Sequence, residues 1–136
     1  MKVKLDGGAF APTRAHKDDA GLDLYAMFDG CVRAKQSATF HTGVHVELPH
    51  GTAGILLPKS GLMTKHDIIT FGVVDESYRG EIMVHMFNCG GTGYSVKAGD
   101  KVSQMLVVPV LYEDVEIVDE LSAGERGDNG FGSTGR

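Results

Sequence analysis

Short runs in which apolar and polar residues alternate, or in which β-branched residues cluster, recur between glycine and proline breaks. They are KVKL near the start, then GLDLYA, GVHVELP, AGILLP, DIITFGVV, EIMVHMF, KVSQMLVVPV and VEIV. A period of two sends alternate side chains to opposite faces of a strand, so such runs predict strands with a covered face. Many short strands with turn signals between them predict an all-β antiparallel fold: a sandwich, barrel or jelly roll. SGLMTKH, after Pro58, departs from that period and predicts a turn or two of helix with Ser60 near its start. FGVVDESYRGEI, residues 71–82, carries two apolar arms around a polar tip, which predicts a β-hairpin projecting Asp75, Glu76, Ser77 and Tyr78. The pattern stops before ERGDNGFGSTGR, a closing stretch with four glycines, one phenylalanine and no aliphatic anchor. The expectation is a single domain over residues 1–136 in which 124–136 form a mobile glycine-rich arm.

Composition narrows the function classes. A chain of 136 residues makes one domain with a real core. Its 13 basic and 18 acidic side chains leave a net charge of -5, which argues against a nucleic-acid groove and makes any phosphate site local. Cys31 and Cys89 form no CxxC pair, so a reduced, cytoplasmic protein is expected. No apolar run approaches the ~20 residues of a membrane span, and the first ten residues lack a signal-peptide core. Six methionines, Met83, Met86 and Met105 among them, read as core filler. His41 and His45, if they share a strand, stand ~13 Å apart at the usual rise per residue, too far to hold one metal ion.

Several short stretches carry candidate chemistry. PKSGL sets Lys59, Ser60 and Gly61 at the mouth of the helix, where backbone N–H groups, a cation and a hydroxyl make an anion pocket. It is not a Walker A loop, because Pro58 has no N–H to offer where that loop needs glycine. A helix end with a solvated lysine is the plain alternative. The polar tip pairs Asp75 with an aromatic three residues on, a base and a flat wall for one small ligand. Asp23, within GLDLYA, is either a carboxylate exposed at a strand end or an outer-sphere holder of Mg²⁺, an ion that keeps several waters. Gln104 is an amide in an apolar strand and needs a partner if buried. In the tail, Arg126 suits a phosphate, Phe131 a flat ring, and the glycines a close approach of backbone to an anion.

Taken in order, AGLDLYA, PKSGL, GVVDESYRGEI, GDKVSQMLV and RGDNGFGSTG span residues 20–135, and this set resembles the motifs of the trimeric dUTPases. The resemblance implies a jelly-roll-like distorted barrel, a homotrimer with active sites at subunit interfaces, and Mg²⁺-dependent hydrolysis of dUTP to dUMP and pyrophosphate. It also implies a role in keeping uracil out of DNA and supplying dUMP for dTMP synthesis. By that resemblance Asp75 activates the water and touches the 3′-OH of the sugar, while Tyr78 packs where a ribose 2′-OH would collide. Gly72, Val73 and Val74 lend backbone groups to the uracil edge, with Met83 nearby. Lys59, Ser60, Gly61 and Gln104 hold phosphates, and Asp23 meets the ion through water. In the arm, Phe131 stacks on uracil, Arg126 reaches the terminal phosphate, and Gly132, Ser133 and Thr134 line the phosphate chain.

Three departures from the family pattern stand out: Lys59 in place of arginine, Ile69 where many bacterial members carry asparagine, and Asn129 in place of an arm glycine. The first exchanges a bidentate fork for a point charge. Two rival functions share the scaffold. A dCTP deaminase would need a glutamate at the position of His85, and a regulatory or binding protein would act through its surface.

Overall fold

The computed structural model describes residues 1–128, and among them the alternating runs become eleven strands and one short helix. In chain order these are β1 (Lys2–Leu5), β2 (Leu22–Tyr25), β3 (Gly30–Val32), β4 (Ser37–His41), β5 (Val44–Glu47), β6 (Thr52–Leu57), α1 (Ser60–His66), β7 (Ile68–Thr70), β8 (Gly72–Val74), β9 (Met83–Asn88), β10 (Tyr94–Val96) and β11 (Lys101–Pro109). The strands pair antiparallel as β1-β5, β10-β3, the four-stranded β2-β11-β6-β8 and the three-stranded β4-β9-β7. This is the expected all-β, distorted jelly-roll-like fold, without a closed barrel among the described residues.

The period of two is clearest in β9, where Val84, Met86 and Asn88 point inward and Met83, His85 and Phe87 point out. Leu24, Val32, Val44, Val84, Met86 and Met105 are fully buried. Each such side chain contributes roughly 1.5–3 kcal/mol by leaving water. Met86 and Met105 are core, as expected, whereas Met83 is exposed. β11 slips register between Lys101 and Ser103, so Val102 and Ser103 are both buried and Gln104 comes opposite Asp23 of β2 and Leu57 of β6. In α1 the first turn begins at Ser60, but no side chain caps it; Lys59 occupies the N-cap with an extended backbone. The helix stops at Asp67, whose left-handed backbone lets its N–H reach the Leu62 carbonyl.

Three expectations need correction. Residues 71–82 are not a hairpin: β8 pairs with β6, while β9 pairs with β4 and β7 in another sheet. The apolar arms belong to different layers, and residues 75–82 carry the chain between them, with Ile82 buried and its N–H bonded to the Val44 carbonyl at 2.8 Å. DIITFGVV is likewise two strands rather than one, broken at the exposed Phe71 where the chain changes sheets. VEIV forms no strand. Val115 and Ile117 are over 90% exposed, and the stretch pairs with no strand among the described residues. His41 and His45 fall on separate strands and bond to different partners, Glu81 and Asp6 among them.

Candidate active site

Two groups of predicted residues are assembled by two different parts of the fold. The first lies where β2, β11 and the start of α1 meet. Asp23 is only 3% exposed, and its backbone N–H and carbonyl are tied to Thr13 across an isolated bridge. Its carboxylate receives the Lys59 ammonium on one oxygen and the Lys101 ammonium on the other, the latter at 2.7 Å. Burial pushes this carboxyl up, but the hydrogen bonds from Lys101 and Lys59 outweigh it and hold Asp23 below its ordinary value. The same contact raises Lys101. Asp23 is therefore not a carboxylate exposed at a strand end. Gln104, its neighbour on β11, finds its partner in the backbone, donating its amide to the Pro58 carbonyl at 3.0 Å. That bond ties β11 to the turn carrying Lys59, Ser60 and Gly61.

The second group surrounds the edge of the four-stranded sheet. β8 pairs only with β6, so its other side has no strand partner among the described residues. Backbone groups along such an edge can read a planar amide-like ring, which is the recognition expected of a hairpin, supplied here by an edge strand. A cleft of about 190 Å³ opens beside it, lined by Gly72, Val73, Val74, Tyr78, Glu81 and Met83, among others. The Tyr78 hydroxyl donates to the Glu81 carbonyl at 2.9 Å, and its N–H closes a turn on the Asp75 carbonyl at 3.0 Å. The ring lies over Gly80, where a Cβ would overlap the phenol oxygen and stand 2.5 Å from Cζ. Only glycine permits that fold-back.

Glu81, a residue the sequence did not single out, anchors the far end of this loop. Its carboxylate accepts the N–H groups of Thr42 and Gly43 at 3.0 and 2.8 Å and contacts His41 Nδ1 at 2.8 Å. Burial raises Glu81, yet these bonds prevail and lower it overall. Asp75 is exposed and faces a larger cleft of about 610 Å³, whose walls include His50, Ile55, Val73, Glu76 and Tyr112. Val73 is common to both clefts. His85 lines the smaller cleft and bonds Thr39 through Nδ1 at 2.7 Å, so no carboxylate stands at the position a deaminase would need.

Neither cleft is lined by Asp23, Lys59, Ser60, Gly61 or Gln104. Arg126 is exposed within a turn at residues 125–128. Phe131, Gly132 and Ser133, with Asn129 and Thr134, lie outside the described residues. Among the described residues no group of three or more His, Cys, Asp or Glu side chains is placed to hold a metal ion, and no helix is long and apolar enough to cross a membrane. Lys101 and Glu81 had one available signal, their places inside two of the quoted motifs; His50 and Tyr112 had none, because only folding brings them to Glu76.

A family model described as dUTPase matches residues 9–135. The chain is 43% identical to the deoxyuridine 5′-triphosphate nucleotidohydrolase of Clostridium acetobutylicum, over 99% of this chain and 96% of that one. Its fold matches that of the Staphylococcus bacteriophage 80alpha dUTPase in complex with dUPNHPP, with a TM-score of 0.93, 27% identity, and coverage of 99% and 98% of the two chains. It also resembles a variant dUTPase from phage phi11 of S. aureus, described for its coordination of a structural Mg(II) ion, with a TM-score of 0.80, 25% identity, and coverage of 88% and 96%.

Proposed function

The chain belongs to the dUTPase family and is a deoxyuridine triphosphate nucleotidohydrolase; from that premise we propose that it cleaves dUTP to dUMP and pyrophosphate by in-line attack of water at the α-phosphorus. The observation that carries the assignment of residues is the exposed Asp75 at the end of an unpaired strand edge, one turn from an aromatic wall. The β8 edge, through Gly72, Val73 and Val74, takes the uracil, with Met83 closing the base pocket. Tyr78 packs on deoxyribose, and a 2′-OH would meet its ring. Asp75 holds the water and accepts its proton as the bond to phosphorus forms. Positioning and electrostatics supply most of the rate in such a reaction.

Lys59, Ser60, Gly61 and Gln104 hold the phosphates, and Lys59 leaves the Asp23 carboxylate to do so. Lys101 then keeps Asp23 paired. Both Asp23 oxygens bear lysines, so the carboxylate offers a cation no open cage; with Lys59 turned to the phosphates, the freed oxygen would hold, through water, a magnesium ion carried by the nucleotide. Bound in that way, Mg²⁺ neutralises charge on the phosphate oxygens. The separation of the Tyr78 cleft from the lysine cluster supports a homotrimer in which neighbouring subunits complete each site. The whole chain is then one domain whose arm, residues 124–136, closes the site with Phe131 on the uracil and Arg126, Gly132 and Ser133 on the phosphates. Water exclusion by that closure strengthens every contact beneath it. The product serves dTMP synthesis, and removal of dUTP keeps uracil out of DNA.

The test is pyrophosphate release by the full chain with Mg²⁺. dUTP should be turned over, and UTP, dTTP and dCTP should not. Asp75→Asn should lose about 10²–10⁴-fold in kcat with KM little changed, the usual span for a lost general base. Equal turnover of UTP, or an active Asp75→Asn, would reject the assignment.

A further inference from the structure

Next to Asp75 the loop carries a second carboxylate, Glu76, which the proposed chemistry does not use. Its side chain has three hydrogen-bond partners, as many as Glu81 at the far end of the loop. One oxygen contacts His50 Nδ1 at 2.8 Å. The other accepts the Gly51 N–H at 2.8 Å and the Tyr112 hydroxyl at 2.9 Å. The donors come from two separate pieces of chain: the turn between β5 and β6, and the segment that follows β11. Those two pieces are themselves joined, since the Val110 N–H donates to the Gly51 carbonyl at 2.9 Å. On the loop itself the Arg79 guanidinium donates to the Glu76 carbonyl at 2.6 Å. Asp75, by contrast, is exposed, and among the described residues its carboxylate takes part in no hydrogen bond.

We propose that Glu76 is a positioning residue for Asp75: its carboxylate pins the loop to the β5–β6 turn and to the root of the C-terminal segment, and thereby sets where the Asp75 carboxylate stands. The inference rests on Asp75 holding the attacking water. A base with no side-chain support takes its position from its backbone, and here that backbone is held one residue away by three donors. A displacement of ~1 Å in such a group can cost about 10²-fold in rate. Tyr112 also connects this anchor to the segment that follows β11, so the loop carrying the base and that segment share one carboxylate.

The groups that face Glu76 are His50 from the turn, Tyr112 from the C-terminal segment, and Asp75 and Arg79 from its own loop. The hydrogen bond from His50, then those from Gly51 and Tyr112, pull Glu76 down to about 2. The bond to Glu76 in turn raises His50 above 6.5. The charged His50–Glu76 pair is therefore complete between about pH 4.5 and 6.5, is lost in acid as Glu76 takes up its proton, and fades as pH rises through the raised His50 value, while the Gly51 and Tyr112 bonds persist.

The experiment uses the full chain with dUTP and Mg²⁺. Glu76→Ala should lower kcat about 10- to 100-fold with KM within about threefold, and Tyr112→Phe should lower it several-fold. Glu76→Gln still offers an oxygen to the Gly51 N–H or the Tyr112 hydroxyl and should recover most of the loss. His50→Ala should reduce kcat more at pH 6 than at pH 9. Unchanged kcat in both Glu76→Ala and Tyr112→Phe would overturn the proposal, as would a raised KM at constant kcat, which would make Glu76 a binding group. If Glu76→Ala does not fold, Tyr112→Phe decides, since it removes a single hydroxyl from a largely exposed ring. An inactive Asp75→Asn beside unaffected Glu76 variants sinks this inference alone, whereas an active Asp75→Asn sinks the function beneath it.

Discussion

Asp23 holds two ammonium groups from a position that is 3% exposed. A carboxylate so placed is stable only with its partners, because its desolvation is not offset otherwise. Both lysines still reach solvent, so losing the carboxylate leaves them less stranded than a fully buried pair would be. Asp23→Asn is therefore expected to lower the unfolding free energy by roughly 1–3 kcal/mol at pH 7, below the usual penalty for breaking a buried pair. The pH dependence has a definite sign. Asp23 lies below its ordinary 3.8 in the folded chain, so its contribution is present above pH 3.8 and is lost as pH falls through the depressed value. Urea titrations of the two proteins should converge as the pH drops below about 3.8; a gap that stays constant to pH 2 would mean the pair contributes nothing. The same residue shows what was legible. Its place in GLDLYA marked it as a candidate, but both lysines are distant in sequence, and no periodicity reports a pairing between strands so far apart in the chain.

At the scale of elements, the decisive feature is that β8 is an edge strand and not the arm of a hairpin. Two apolar arms around a polar tip look alike in either case, because period two sets which face a residue takes and says nothing about which strand it pairs with. The loop that joins the sheets is shaped by Gly80, on which the Tyr78 ring rests. A methyl group there would collide with the flexible end of a side chain and not with backbone, so Gly80→Ala should fold normally yet push the ring outward. The expected outcome is a selectivity change: kcat/KM for UTP rises about tenfold or more relative to dUTP, with Tm nearly unchanged. Steady-state kinetics on both nucleotides measures it, and an unaltered ratio would show that the ring is not the sugar wall. α1 was legible in the sequence because Pro58 and the loss of alternation mark its start, although Ser60 begins the helix without capping it.

For the molecule as a whole, the segment after β11 is the unfinished part. Leu111, Val115, Ile117 and Leu121 are each more than 80% exposed, on a stretch without strand or helix. Apolar side chains in that density gain from being covered, and a second copy of the chain is the cover the proposed trimer provides. Ile117→Asp should shift the protein toward monomer in sedimentation velocity and reduce turnover in parallel, with the dUTPase activity returning as protein concentration rises. An Ile117→Asp protein that sediments and works as the wild type would remove this segment from the interface.

Alternation along the chain was enough to determine that the described residues are all-β with a single short helix, and the ordered motifs were enough to place the chain in its family. Both are properties of neighbouring residues: a backbone of period two assigns faces locally, and a motif keeps its donors within a few positions. Tertiary structure alone decided that Lys101 shares Asp23 with Lys59, that β8 pairs only with β6 among the described residues, and that Glu76 gathers His50, Gly51 and Tyr112. Those contacts join residues far apart in the chain, and they exist because one arrangement of sheets buries the apolar faces together, an outcome that depends on all the strands at once.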